Sequence, residues 1–174
     1  MRLPRRLRPL LTALGGLALL GYALLGALLM NDWAVAAASG LPLPETIAAM
    51  RAAGQPYSAL AGVGFAALGA LLTAAWAWLV LSPRAALPGW AALSLWAGLL
   101  ALGAPAYFFG AFGNLNSVGD TFADWHADAA WALEAPLYLA SGAGLLLAVG
   151  TPLAVLLSAV LTNRRDRGAA SAAR

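Results

Sequence analysis

The sequence predicts an all-α fold, a polytopic transmembrane four-helix bundle with both termini cytoplasmic and two outer loops that each carry a short helix. Three observations carry that expectation. Four stretches, Pro9–Met30, Ser58–Ser82, Ala85–Gly110 and Ala135–Thr162, contain no charged side chain. At about 1.5 Å per helical residue, each is long enough to cross a hydrocarbon layer roughly 30 Å thick. The chain is 62% hydrophobic and 10% charged, against about 45–50% apolar and 25% charged in soluble domains. Finally, every arginine except Arg51 falls in one of three segments: before the first apolar run, between the second and third, or after the fourth. Short arginine-rich segments stay on the cytoplasmic side.

The 174 residues read as one transmembrane domain, 1–174, with spans at about 9–30, 58–82, 86–109 and 136–162. Between them lie outer loops at 31–57 and 110–135, and a cytoplasmic tail covers 163–174. The location that follows is a cell membrane crossed several times, the cytoplasmic membrane of a bacterium. The start of the chain, with Arg2, Arg5, Arg6 and Arg8, is expected to be a retained anchor. Its apolar run is longer than the 7–15 residues typical of a cleaved signal.

Small residues recur along all four spans, among them Gly15, Gly16, Gly21 and Gly26 in the first and Gly62, Gly64 and Gly69 in the second. Lipid gives helices no hydrophobic reason to meet, so close approach through small side chains drives their association. Ser94-x-x-x-Gly98 and Gly144-x-x-x-Ala148 have that spacing. Pro105 is expected to bend or end the third span, and Pro152 to kink the fourth near residue 148. Pro136 is expected to start the fourth span. Trp33, Trp125 and Trp131, and at the other end Trp76, Trp78 and Trp90, read as interface anchors. Trp96 lies deeper, where its indole N–H needs a partner. Pro56, Gly62 and Gly64 recur as Pro136, Gly142 and Gly144 at a constant offset, which suggests a duplicated hairpin.

In the first outer loop, Pro44-Glu45-Thr46 opens a short helix with an acid near its positive end, Ile47 and Met50 share a face, and Gly54 stops it. The second begins with the turn-rich Gly110-Ala-Phe-Gly-Asn-Leu-Asn-Ser and continues as a helix from about Asp120 to Glu134.

That helix holds the candidate polar cluster: Asp120, Asp124 and Asp128 at i, i+4 and i+8, with His126, Glu134 and, from the first loop, Arg51. Carboxylates and one imidazole suit a hard cation, a ligand headgroup or a proton carrier. The plainer account makes Asp120 an N-cap, Thr121-x-x-Asp124 a capping box, Asp128 a solvated acid and Glu134 a stabiliser of the next span. No catalytic residue, metal site or cofactor is assigned. There is no cysteine, hence no thiol chemistry or disulfide. No phosphate-binding glycine loop, nucleophile elbow or HExxH appears, and the arginines flank apolar helices, so nucleic acid is not an expected partner.

The role expected first is a non-enzymatic accessory or interaction subunit whose partners are the lipid bilayer and a membrane protein, either another chain or a second copy. The alternatives are a passive channel or binder for a small apolar or lipid-like molecule, and a membrane enzyme using His126 with Asp124 or Asp128.

Overall fold

The structure, a computed structural model, describes residues 7–85 and 87–172, with side-chain surroundings through residue 163. Six α-helices account for most of them: α1 Leu7–Leu28, α2 Ala34–Ser39, α3 Leu43–Ala52, α4 Leu60–Leu81, α5 Gly89–Thr121 and α6 Ala127–Ala172. A π-helical turn, Leu29–Trp33, joins α1 to α2. Among the described residues there is no strand. Four helical segments are long and apolar enough to span a membrane: Leu7–Ser39, Leu60–Leu81, Gly89–Thr121 and Ala127–Asn163. The chain is therefore a multi-pass membrane protein. Arg2, Arg5, Arg6 and Arg174 lie outside the described residues, and Arg164, Arg165 and Arg167 lie where side chains are not described.

The helices are longer than expected. The first does not stop at residue 30: the π turn carries it on to Ser39, and Gly40 ends it in the left-handed region at φ 71°. Two carbonyls of the π turn accept from other segments. Asn114 Nδ2 donates to Met30 O at 3.0 Å, and Tyr57 Oη donates to Asn31 O at 2.6 Å. Burial first, and then the Asp32 carboxylate, hold the Tyr57 phenol above its ordinary range, so it stays a donor.

The third span overturns the expected loop at 110–135. It runs to Thr121 through the glycine- and asparagine-rich segment, and only 122–126 separates α5 from α6. Local propensity is a weak prior that packing overrides. Here Tyr107, Ala111, Asn114 and Val118, spaced i, i+4, i+7 and i+11, are all buried and hold the helix in place. Pro105 does not end α5. Proline removes a donor and weakens the turn around it, and Ser141 of α6 enters that gap. Its hydroxyl donates to Leu100 O at 2.8 Å and accepts from Ala104 N–H at 3.1 Å. With that proton committed, Tyr22 Oη, 2.8 Å away, must donate to Ser141. Pro136 does not start α6 but lies within it, whereas Pro56 precedes α4 in non-helical chain, so these two prolines are not in equivalent places.

The short helix of the first loop appears at Leu43–Ala52, with Thr46 and Met50 buried and Gly54 beyond its end at φ 74°. Trp96 finds its partner in Gly15 O at 2.9 Å. Trp76 is no interface anchor: it is buried and donates to Ala92 O at 3.0 Å.

Helix pairing is α1 against α4 and α5 against α6, with α4 and α5 in lighter contact and α2 packed on α5 and α6. Glycine is required where backbones approach most closely. A Cβ on Gly144 would lie 2.8 Å from Ala97 O and 3.0 Å from Ala101 N, and one on Gly103 would overlap the Tyr22 ring. Gly98 has open space instead, so of the two small-residue pairs only Gly144 marks a tight contact.

At about 1.5 Å per residue, α4 measures roughly 33 Å, one hydrocarbon thickness, whereas the 33-residue α5 measures roughly 50 Å. Arg8 donates to Leu87 O at 3.2 Å, placing the start of α1 beside the α4–α5 turn. The excess length of α2 and α5 therefore projects past α4 at the opposite, α3 end. The larger buried cluster is there, with Leu29, Met30, Val35, Met50, Tyr107 and Val118 in it.

Candidate functional site

The helix predicted from Asp120 to Glu134 is two helices and a link, and this redistributes the candidate residues. Asp120 is in the last turn of α5, where it accepts from Asn116 Nδ2 at 3.0 Å, so it caps no helix that follows. Thr121 is no part of a capping box: its hydroxyl donates back to Ser117 O at 2.7 Å. Asp124 and His126 lie in the link, and Asp128 in the first turn of α6. With α5 ended at Thr121, the three aspartates do not form one helical stripe.

His126 serves the link's geometry. Its backbone N–H donates to Ala38 O at 2.7 Å, and its imidazole lies over Gly40, where any Cβ would approach Cδ2 to 3.1 Å. Asp124, His126, Asp128 and Arg51 are all exposed, Arg51 near the end of α3. Among the described residues no three of the His, Asp and Glu side chains are grouped to hold a metal ion.

Glu134 is different. Because α6 begins at Ala127, the residue sits two turns inside a span, and it is 6% exposed. Its Oε1 accepts from Tyr107 Oη at 2.9 Å. Oε2 has no hydrogen-bond partner among the described residues, nor is it one of the fully enclosed unpartnered atoms, so it keeps open surface. The depth can be placed from α5. Asn114 Nδ2 bonds both Met30 O and Ser58 O, a polar layer level with the start of α4. Tyr107 lies seven residues, about 10 Å, below that layer. Acidic groups at such depth are rare, and they mark functional sites by default.

Around Glu134 the two helices form a groove of about 570 Å³. Its walls are Phe108, Phe112 and Leu115 from α5 and Trp131 and Tyr138 from α6, with Trp125 and Asp120 at its α3 end. Trp131, Glu134 and Tyr138 fall at i, i+3 and i+7, one face of α6. The Trp131 and Tyr138 rings are 5.0 Å apart and tilted by 31°, and Tyr107 meets Tyr138 edge-on at 6.0 Å. These aromatic residues were not among the expected site residues. The i, i+3, i+7 spacing would reveal them once α6 is started at Ala127 instead of Pro136.

A second cavity of about 230 Å³ lies between α1, α4 and α5, lined by Leu19, Phe65, Leu68 and Leu72 among others. It carries no charged group.

No protein-family model matches this chain, and no curated protein or solved structure matches it either.

Proposed function

We propose that the chain is a non-enzymatic membrane protein that binds a small amphiphilic or lipid-like molecule in the α5–α6 groove. The observation that carries this reading is the groove itself: an aromatic cleft of ligand size with one buried, partly unpartnered carboxyl at its base. Ligand sites are typically apolar concavities of about 300–1,000 Å³ with few, well-placed polar groups. The exposed rings of Phe112 and Trp131 leave the cleft open along its flank.

The test is photo-crosslinking in native membranes, with a benzophenone amino acid at single positions. At Phe112, in the groove, a few discrete adducts are expected. At Leu146, 76% exposed on the surface of α6, the adducts should follow bulk lipid composition. Equal adduct distributions at the two positions would dismiss the reading.

A second reading, association with another copy, is favoured by one observation: residues 153–163 of α6 are exposed on every side. The same probe at Leu157 would then yield an adduct of twice the chain mass. Lipid adducts alone would dismiss it.

In orientation, the α3 end faces outward and the end with Arg8 and Arg84 faces the cytoplasm of a cell bounded by this membrane. The support is arginine asymmetry. The chain lacks cysteine, so single cysteines report cleanly. A membrane-impermeant maleimide should label Glu45→Cys in intact cells but not Arg84→Cys, and the reverse pattern would invert the topology.

A further inference from the structure

We infer that the groove's ligand is a hydrophobic organic cation, a molecule with an ammonium head and an apolar body. This rests on the reading of the groove as a binding site and goes beyond it in naming the charge. The groove lining holds two carboxylates, Glu134 and Asp120, and no lysine, arginine or histidine. Asp120 is exposed and already accepts a bond from Asn116, so water screens it. Glu134 is 94% removed from solvent, and its Oε2 is unbonded among the described residues. When ionised, a carboxylate so placed, with a tyrosine hydroxyl on one oxygen, is stabilised most by a cation opposite the other.

The surrounding groups suit the same cation. Trp131 and Tyr138 stand one turn to either side of Glu134 on the same helix face. Indole and phenol rings present negative faces that attract ammonium groups, most strongly where water is excluded. Beyond them, Phe108, Phe112 and Leu115 supply an apolar wall for a hydrocarbon body. An anionic or zwitterionic lipid head would bring a phosphate against two carboxylates. A bare metal ion would find only one buried carboxylate and one phenol. A neutral amphiphile could donate a hydrogen bond to Oε2 but would bring no opposing charge. Charge complementarity therefore selects the organic cation.

The experiment compares two probes of nearly equal shape on the purified full chain in a nonionic detergent: the 6-phenylhexyltrimethylammonium ion and its neutral isostere with carbon in place of nitrogen. Binding is read by tryptophan emission and by calorimetry. On the wild type, the cation should bind roughly tenfold or more tightly than the isostere. Glu134→Gln should remove that preference and leave isostere affinity unchanged. Its amide oxygen can still accept the Tyr107 hydroxyl, and thermal unfolding checks that the fold is kept. Asp120→Asn should change the ratio by less than about threefold, as expected of a screened surface charge.

Equal affinity for both probes on the wild type overturns the cation assignment without needing any variant, while leaving groove binding standing. If the preference is lost in Asp120→Asn but not in Glu134→Gln, the assignment to Glu134 is overturned. Binding of neither probe removes both the cation and the groove reading.

Discussion

Replacing Gly144 with leucine is expected to separate α5 from α6 and to abolish the four-helix assembly. Even the single carbon of an alanine would sit 2.8 Å from Ala97 O and 3.0 Å from Ala101 N, both backbone atoms of α5 that cannot rotate away. Overpacking a tight contact costs about 1–3 kcal/mol for small additions and more for large ones. Membrane helices have little to offset that loss, since lipid solvates their surfaces as well as a neighbour does. Gly142→Ala is the matched control. No atom beyond its own helical turn lies within 4 Å of its Cβ position among the described residues, so it should be neutral or should gain up to about 1 kcal/mol from helix propensity. Unfolding by increasing SDS fraction in mixed micelles measures both. Equal stability of Gly144→Leu and wild type would show that α5 and α6 do not pack through this residue. The groove depends on the same contact, so Gly144→Leu should also lose the discrete crosslinks at Phe112.

Asn114→Leu is expected to have the second largest effect, because one amide bonds to two other segments. It accepts from Ser58 N–H at 3.0 Å and donates to Ser58 O at 2.9 Å and Met30 O at 3.0 Å. Leucine conserves volume but leaves three backbone groups without a partner, each costing about 1–3 kcal/mol when buried. Ser58 is exposed and water can reach it, so the total should be about 2–4 kcal/mol. Asn114→Asp separates packing from hydrogen bonding. It keeps an acceptor for Ser58 N–H but sets a carboxylate against two carbonyls, and should be no better than leucine. Hydrogen exchange at Ser58 should rise in both variants. An unchanged exchange rate there would mean the amide does not hold this segment. The π turn at Leu29–Trp33 should respond as well, since Met30 O would lose the Asn114 amide and a regular helix would compete with it.

These two residues show where sequence reading works and where it stops. Gly144 is legible as half of a small-residue pair, but the pair at Ser94 and Gly98 is equally legible and makes no such close approach at its glycine: Gly98 faces open space. Spacing reports which contacts are possible; only the relative rotation of the helices selects one. Asn114 lay in a segment rich in glycine, asparagine and serine, residues that favour turns in water. Burial of Tyr107, Ala111, Asn114 and Val118 against α1, the π turn and α6 reversed that preference. Their period was visible in the sequence, but nothing local gave it precedence over the turn residues. The candidate site followed from this. From the sequence alone, with the third span ending near residue 109 and a separate helix at 120–134, Glu134 reads as a residue outside the membrane beside aspartates. With α5 ending at Thr121 and α6 starting at Ala127, it lies inside a span facing Tyr107.

From the sequence alone came the four crossings, the helix at Pro44, the need of Trp96 for a partner and the absence of any thiol chemistry. These depend on composition along one segment, or on a side chain's own donors and acceptors, and a single strand of text contains them. The tertiary structure alone decided how far the spans continue past the hydrocarbon layer, which glycine is covered, and that Glu134, among the described acidic side chains, is enclosed by tyrosine and tryptophan. Those outcomes depend on packing between segments distant in the chain, where the cost of burying a carboxyl and the gain of filling space are settled by neighbours that no local pattern names.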